Sequence, residues 1–166
     1  GLTMSNGTIS VLENNGGIKA NWYGVTRPIL PNADIRMTVH LEKFSGAQLW
    51  IGFLESPDKF TDGKFMRIKL ADKSKPKYIS AFDIVELMTE YPDYPMPRYD
   101  NIFDPNDTGT YSIHMKLDSN RLSIWLNNSP AKAFPVFELT QRYLFIGYLS
   151  STQIDIDARI DSILVR

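Results

Sequence analysis

The feature that most constrains this chain is a two-residue hydrophobic period, repeated in short runs between residues 33 and 148. A period of two sends alternate side chains to opposite faces of an extended backbone. Each run therefore reads as a strand with one buried face. Ile35, Met37, Val39 and Leu41 form one set, against Arg36, Thr38, His40 and Glu42 on the other side. Leu49, Ile51 and Phe53 alternate with Gln48, Trp50 and Gly52. Met66, Ile68 and Leu70 repeat the pattern, as do Tyr111, Ile113, Met115 and Leu117. Leu122, Ile124 and Leu126 follow, then Leu144, Ile146 and Tyr148. Residues 17–23 and 78–87 are further strands with weaker patterning. The turn formers Ser45-Gly46, Asp62-Gly63, Asp118-Ser119-Asn120 and Asn127-Asn128 punctuate the runs. The one candidate for an amphipathic helix, 82–90, is short.

About ten short strands predict two packed antiparallel sheets, an all-β sandwich of the jelly-roll kind. A length of 166 residues suits a single such domain over 1–166. The opening Gly1-Leu2-Thr3 lacks an initiator methionine, which reads as a domain excised from a longer protein. Eighteen basic and nineteen acidic residues leave a net charge of −1. That balance offers no bulk attraction to nucleic acid or to an anionic membrane. No run of about 18 apolar residues predicts membrane insertion. With no cysteine, disulfides and thiolate metal sites are excluded.

Residues 88–108 break the rhythm. Pro92, Pro95, Pro97 and Pro105 argue against a central strand, so this segment is expected to be a long surface connection. It carries Tyr91, Tyr94, Tyr99 and Phe103 among Asp93, Arg98, Asp100 and Asp104. Those rings either pack down on the sandwich or rim a binding site.

Residues 109–166 read G-T-Y-S-I-H-M-K-L-D-S-N-R-L-S-I-W-L-N-N-S, then Y-L-F-I-G-Y, then A-R-I-D-S-I-L-V-R. This order is similar to the C-terminal half of concanavalin A-like (laminin-G-like) lectin and glucanase jelly rolls. Those show a strand, a tight turn, an "L-x-I-W-x-N-G" strand, an "F-x-I-G" strand and a closing "A-x-I-D-x-I-x-V" strand. Asn128 stands where their glycine falls. The resemblance implies the jelly-roll fold and, for many of its members, glycan binding outside the cell or at its surface. The same superfold also hosts hydrolases and adhesion modules.

The enzyme reading turns on T-Q-I-D-I-D, residues 152–157. Family 16 glucanases of this superfold carry E-x-D-x-E on one strand, and two carboxylates flanking a glycosidic bond can cleave it. Here Gln153, Asp155 and Asp157 occupy that pattern. Gln153 cannot ionise and Asp157 is a methylene short. The stretch reads instead as the solvated face of a closing strand at an edge or on an outer layer. A divergent glycoside hydrolase is the third-ranked function.

Two histidines, His40 and His114, match no catalytic or zinc motif. Asp100, Asn101 and Asp104, with Asn106 and Asp107, gather hard oxygen donors that could hold a structural calcium. The alternative expectation is no cofactor at all, since these are also ordinary turn residues.

Strand phase gives a binding site. Facing Leu117 with Leu122 puts His114 opposite Trp125 and Lys116 opposite Ser123. Facing Leu41 with Leu49 puts His40 opposite Trp50. A sugar face stacks on an indole while imidazole, amine or amide groups hydrogen-bond its hydroxyls. The same pairs have a purely structural use, contributing roughly 0.2–1 kcal/mol each to a sheet. The expected ligand set is Trp125, His114, Trp50 and His40, with Tyr94, Tyr99, Arg98 and Asp100 as a rim. Trp22 is a further candidate. The chain is thus expected to be a non-catalytic carbohydrate-binding module with a polysaccharide or glycan partner. A structural or adhesion module that binds protein is the alternative.

Overall fold

The computed structural model describes the backbone of residues 2–5, 8–13, 19–24, 28–43, 47–56, 59–69, 81–88, 91–99, 102–103, 109–118, 121–135, 143–150 and 156–166. Side chains are described within 28–42, 47–54, 56, 66–69, 82–83, 102–103, 109–118, 121–135, 143–148 and 157–166. Among these residues there are thirteen strands and no helix. They are β1 (Leu2–Ser5), β2 (Thr8–Glu13), β3 (Lys19–Gly24), β4 (Ala33–Lys43), β5 (Ala47–Ser56), β6 (Lys59–Lys69) and β7 (Ala81–Met88). β8 (Tyr91–Tyr99), β9 (Thr110–Asp118), β10 (Arg121–Leu126), β11 (Lys132–Pro135), β12 (Tyr143–Ser150) and β13 (Ile156–Val165) complete the chain order.

Two antiparallel sheets result. A seven-stranded sheet has the order β1-β2-β13-β4-β9-β10-β11, and a six-stranded sheet the order β3-β12-β5-β6-β7-β8. The apolar sets read from the sequence face each other between them. Ile35, Val39, Ile113, Met115 and Ile124 come from one sheet, and Leu49, Ile51, Met66, Ile68 and Ile146 from the other. Burial of each such side chain contributes roughly 1.5–3 kcal/mol. Phe82 of β7 ties the layers, meeting Tyr111 of β9 edge-on at 5.2 Å and Phe103 at 6.5 Å. The Ile102 amide donates to the Phe82 carbonyl at 2.8 Å. So the tyrosine-proline segment is anchored by its phenylalanine, which is buried in the core.

Four expectations need correction. First, β4 and β5 do not pair: β4 belongs to the seven-stranded sheet and β5 to the six-stranded one. Inward-facing Leu41 and Leu49 suit an arch between layers as well as a hairpin. Second, 91–99 is a strand, but at the edge of its sheet and with register shifts against β7. An edge strand tolerates Pro92, Pro95 and Pro97 because one row of its amides need not bond a neighbour. Third, the helix candidate at 82–90 lies on β7, and Asp62-Gly63 lies within β6 rather than at a turn. Fourth, β13 is no edge: it runs between β2 and β4.

The pairing of β13 with β4 is irregular near its C-terminal end. Asp161 faces Thr38 and Leu164 faces Arg36. Three residues advance on β13 against two on β4, the one-residue excess of a bulge. Ser162 absorbs it at φ 55. Asp161 and Leu164 thereby both stand on the outer side, while Ile163 packs against the core.

Candidate functional site on the seven-stranded sheet

The outer face of the seven-stranded sheet brings two of the expected residues together. His114 of β9 faces Trp125 of β10, in the register that the hydrophobic phase requires. Lys116 faces Ser123, as expected. The imidazole and indole are stacked, centroids 4.5 Å apart and planes 17° apart. The other side of His114 meets β4, where Arg36 is its register partner and Asp34 its diagonal neighbour. His114 Nε2 lies 2.8 Å from Asp34 Oδ2. An ionised carboxylate only accepts, so Nε2 carries the proton and donates. In the neutral ring Nδ1 then holds the lone pair. Arg36 Nε donates to Asp34 Oδ1 at 2.9 Å. This bond holds the Asp34 carboxyl below its ordinary range, aided by His114 and opposed by partial desolvation. The same bond raises the Arg36 guanidinium. Arg36, Asp34, His114 and Trp125 thus form one chain across three strands.

On the side away from β9, β10 pairs with β11, the edge strand. Ser123 faces Ala133 there, and the register continued by one residue sets Ala131 beside Trp125. Both alanines are exposed. Alanine brings little side-chain bulk to this edge of the sheet. Asn127 closes the β10 end at φ 53, its Oδ1 accepting from the Ser112 amide at 2.9 Å. That bond fixes the turn after Trp125.

His40 and Trp50 are not neighbours. His40 belongs to β4 and faces Thr110 and Arg159, whereas Trp50 belongs to β5 in the other sheet. His40 Nε2 lies 3.3 Å from Asp161 Oδ2, and Arg159 Nε donates to the same oxygen at 2.8 Å. His40 therefore shares a face with His114. Trp50 is only 6% exposed and its indole N–H donates to Gln48 Oε1 at 3.0 Å. Across β5, β6 and β7 it sits level with Arg67 and then Asp83. Arg67 donates to Asp83 Oδ2 through both Nη2 and Nε, the latter at 3.2 Å. The carboxylate is buried and the guanidinium partly so, their side chains 4% and 14% exposed. Trp50, Leu54 and Phe145 are buried on the side of β5 and β12 away from the sandwich core. Trp50 is therefore no open stacking platform.

β8 puts the backbones of Tyr94, Arg98 and Tyr99 in the six-stranded sheet, away from Trp125. Their side chains, and all of Asp100, Asn101 and Asp104, lie outside the described residues. So do Gln153 and Asp155. Trp22 holds a backbone position opposite Gly147 in the six-stranded sheet. Among the described residues no group of three or more His, Cys, Asp or Glu could hold a metal ion. No described helix is long and apolar enough to cross a membrane. Asp34, Arg36, Arg159 and Asp161 are site residues that the sequence reading missed. Each alternates outward beside a buried residue, but only the order β13-β4-β9 makes them partners of the histidines.

The legume lectin-like domain from Entamoeba histolytica superposes with a TM-score of 0.71 at 14% identity, covering 99% of this chain and 86% of that one. This is the concanavalin A-like jelly-roll fold. The metal-free carbohydrate recognition domain of Emp46p matches with a TM-score of 0.61 at 11% identity over 96% of this chain and 84% of that one. Congerin II, with lactose and MES bound, matches this jelly roll with a TM-score of 0.59 at 13% identity over 89% and 100%. No protein-family model and no curated protein matches the sequence. At these identities the likeness is one of fold.

Proposed function

We propose that this jelly roll is a non-catalytic carbohydrate-binding module of a larger secreted or surface protein, and that Trp125 is its stacking platform. The observation that carries the reading is the stack itself. His114, anchored by Asp34, braces one indole face, and the neighbouring edge segment carries the small, exposed Ala131 and Ala133. An apolar ring beside a few fixed polar groups is the usual composition of a small-ligand site. The His114 imidazole, Ser123 and Lys116 supply acceptors and donors for hydroxyls. The lectin-like domains among the structural neighbours support the same class of ligand.

A glycan array probed with the wild type and with Trp125→Ala tests this. The wild type is expected to bind at least one glycan class, and the variant to lose at least about tenfold in affinity. Equal binding by a folded variant, or no glycan bound by the wild type, overturns the proposal.

A further inference from the structure

The arrangement around His114 occurs twice on the same face. Arg36, Asp34 and His114 form one arginine–aspartate–histidine chain, and Arg159, Asp161 and His40 form another. In each, the arginine and aspartate lie two residues apart on one strand and the histidine comes from the next. Asp161 stands outward level with Thr38, by unbroken alternation from Arg159, within reach of His40.

The two clusters are set apart along the strands. His114 is level with Arg36, and His40 lies four residues farther along the same strand, about 13 Å at the rise of an extended chain. Between them the face is floored by short hydroxyl side chains, Thr38 facing Ser112. Raised rings and ion pairs thus stand at both ends of a low polar track. Its length exceeds one sugar ring and suits several in line.

The cations that border this track are paired. Arg36 is held by Asp34, Arg159 by Asp161, and Lys116 lies 3.9 Å from Asp118. An anionic ligand would need a cationic excess to repay its desolvation, and paired guanidiniums do not supply one. Paired groups retain lone pairs and N–H bonds that suit neutral hydroxyls.

Building on the carbohydrate-binding reading, we infer that the site extends from Trp125 across Thr38 and Ser112 to His40. Its ligand is an uncharged linear oligosaccharide of several rings rather than a single terminal sugar.

The test is an NMR titration of the isotopically labelled chain with neutral oligosaccharide ladders, malto-, cello-, xylo-, laminari- and manno-, from disaccharide to hexasaccharide. In one series at least, the dissociation constant is expected to fall by roughly tenfold or more between the short and long members. The Trp125 indole signal should shift with every binding member, and the Thr38 and His40 signals with the longer ones. His40→Ala should remove most of the gain with length. If short and long sugars bind equally, with shifts confined to Trp125 and its neighbours, the extended track is wrong and the carbohydrate-binding reading stands. If no member shifts either region, both fall. Tighter binding of a uronic-acid oligosaccharide than of its neutral counterpart overturns the uncharged ligand.

Discussion

Gly109 immediately precedes the strand that carries His114, and replacing it with alanine should destabilise the sandwich measurably. It adopts φ +68, and a Cβ there would stand 2.6 Å from the Leu41 carbonyl oxygen. The left-handed conformation alone costs an L-residue about 1–2 kcal/mol. The clash is with backbone, so no rotamer change relieves it. The start of β9 must move away from β4, stretching the 2.7 Å bond from the Leu41 amide to the Gly109 carbonyl. Gly109 is buried, and an unmet buried group costs roughly a further 1–3 kcal/mol. The sum is about 2–5 kcal/mol, a fall in Tm of roughly 4–20 °C for a domain of this size. Calorimetry of Gly109→Ala and wild type reads it directly. At an open site with an ordinary φ, the same change would stabilise by about 0.4–1 kcal/mol through the unfolded chain. A Tm loss below about 2 °C, or a gain, refutes the argument. Amide exchange should quicken at Thr110, which pairs with His40, and less at Met115 farther along β9.

Asp83→Ala leaves the partly buried Arg67 guanidinium without its carboxylate and should cost about 2–4 kcal/mol in urea denaturation, whereas replacing both partners with apolar residues should cost much less; a single-variant loss under about 1 kcal/mol would count against a desolvated pair. The lowered Asp34 carboxyl sets the sign of a pH effect: its ionised form stabilises the fold fully above the ordinary value of 3.8, and that contribution is lost as pH falls through the depressed folded value. Thermal melts of wild type and Asp34→Asn should therefore differ most near neutrality and converge in acid; curves that stay parallel to the lowest pH would rule out the linkage.

Much of the strand architecture was legible because period two is a local property. The buried sets Ile35 to Leu41, Tyr111 to Leu117 and Leu122 to Leu126 are core in the folded chain, as their alternation requires. The His114–Trp125 pair came from the same phase, since a two-residue turn between two half-buried strands leaves one register that keeps both apolar faces inward. The C-terminal strand pattern, likewise local, pointed to the jelly-roll fold.

What the sequence could not decide was which strands lie side by side. The His40–Trp50 pairing failed because a short connection with apolar flanks can turn within a sheet or cross between sheets, and the alternation is the same in both cases. The prolines of 91–99 excluded a central strand but not an edge, and edge position is a property of the whole sheet. Trp50 looked solvent-facing because its neighbours alternate, yet its side of the six-stranded sheet is also buried. The ion-paired histidines are the clearest case. Asp34 and His114 are eighty positions apart in the chain, and Asp161 is still farther from His40. Alternation assigned each of them a face, but only the packing order β13-β4-β9 set carboxylate against imidazole. Local backbone sterics determined the strands of this protein, and nonlocal strand order decided the site.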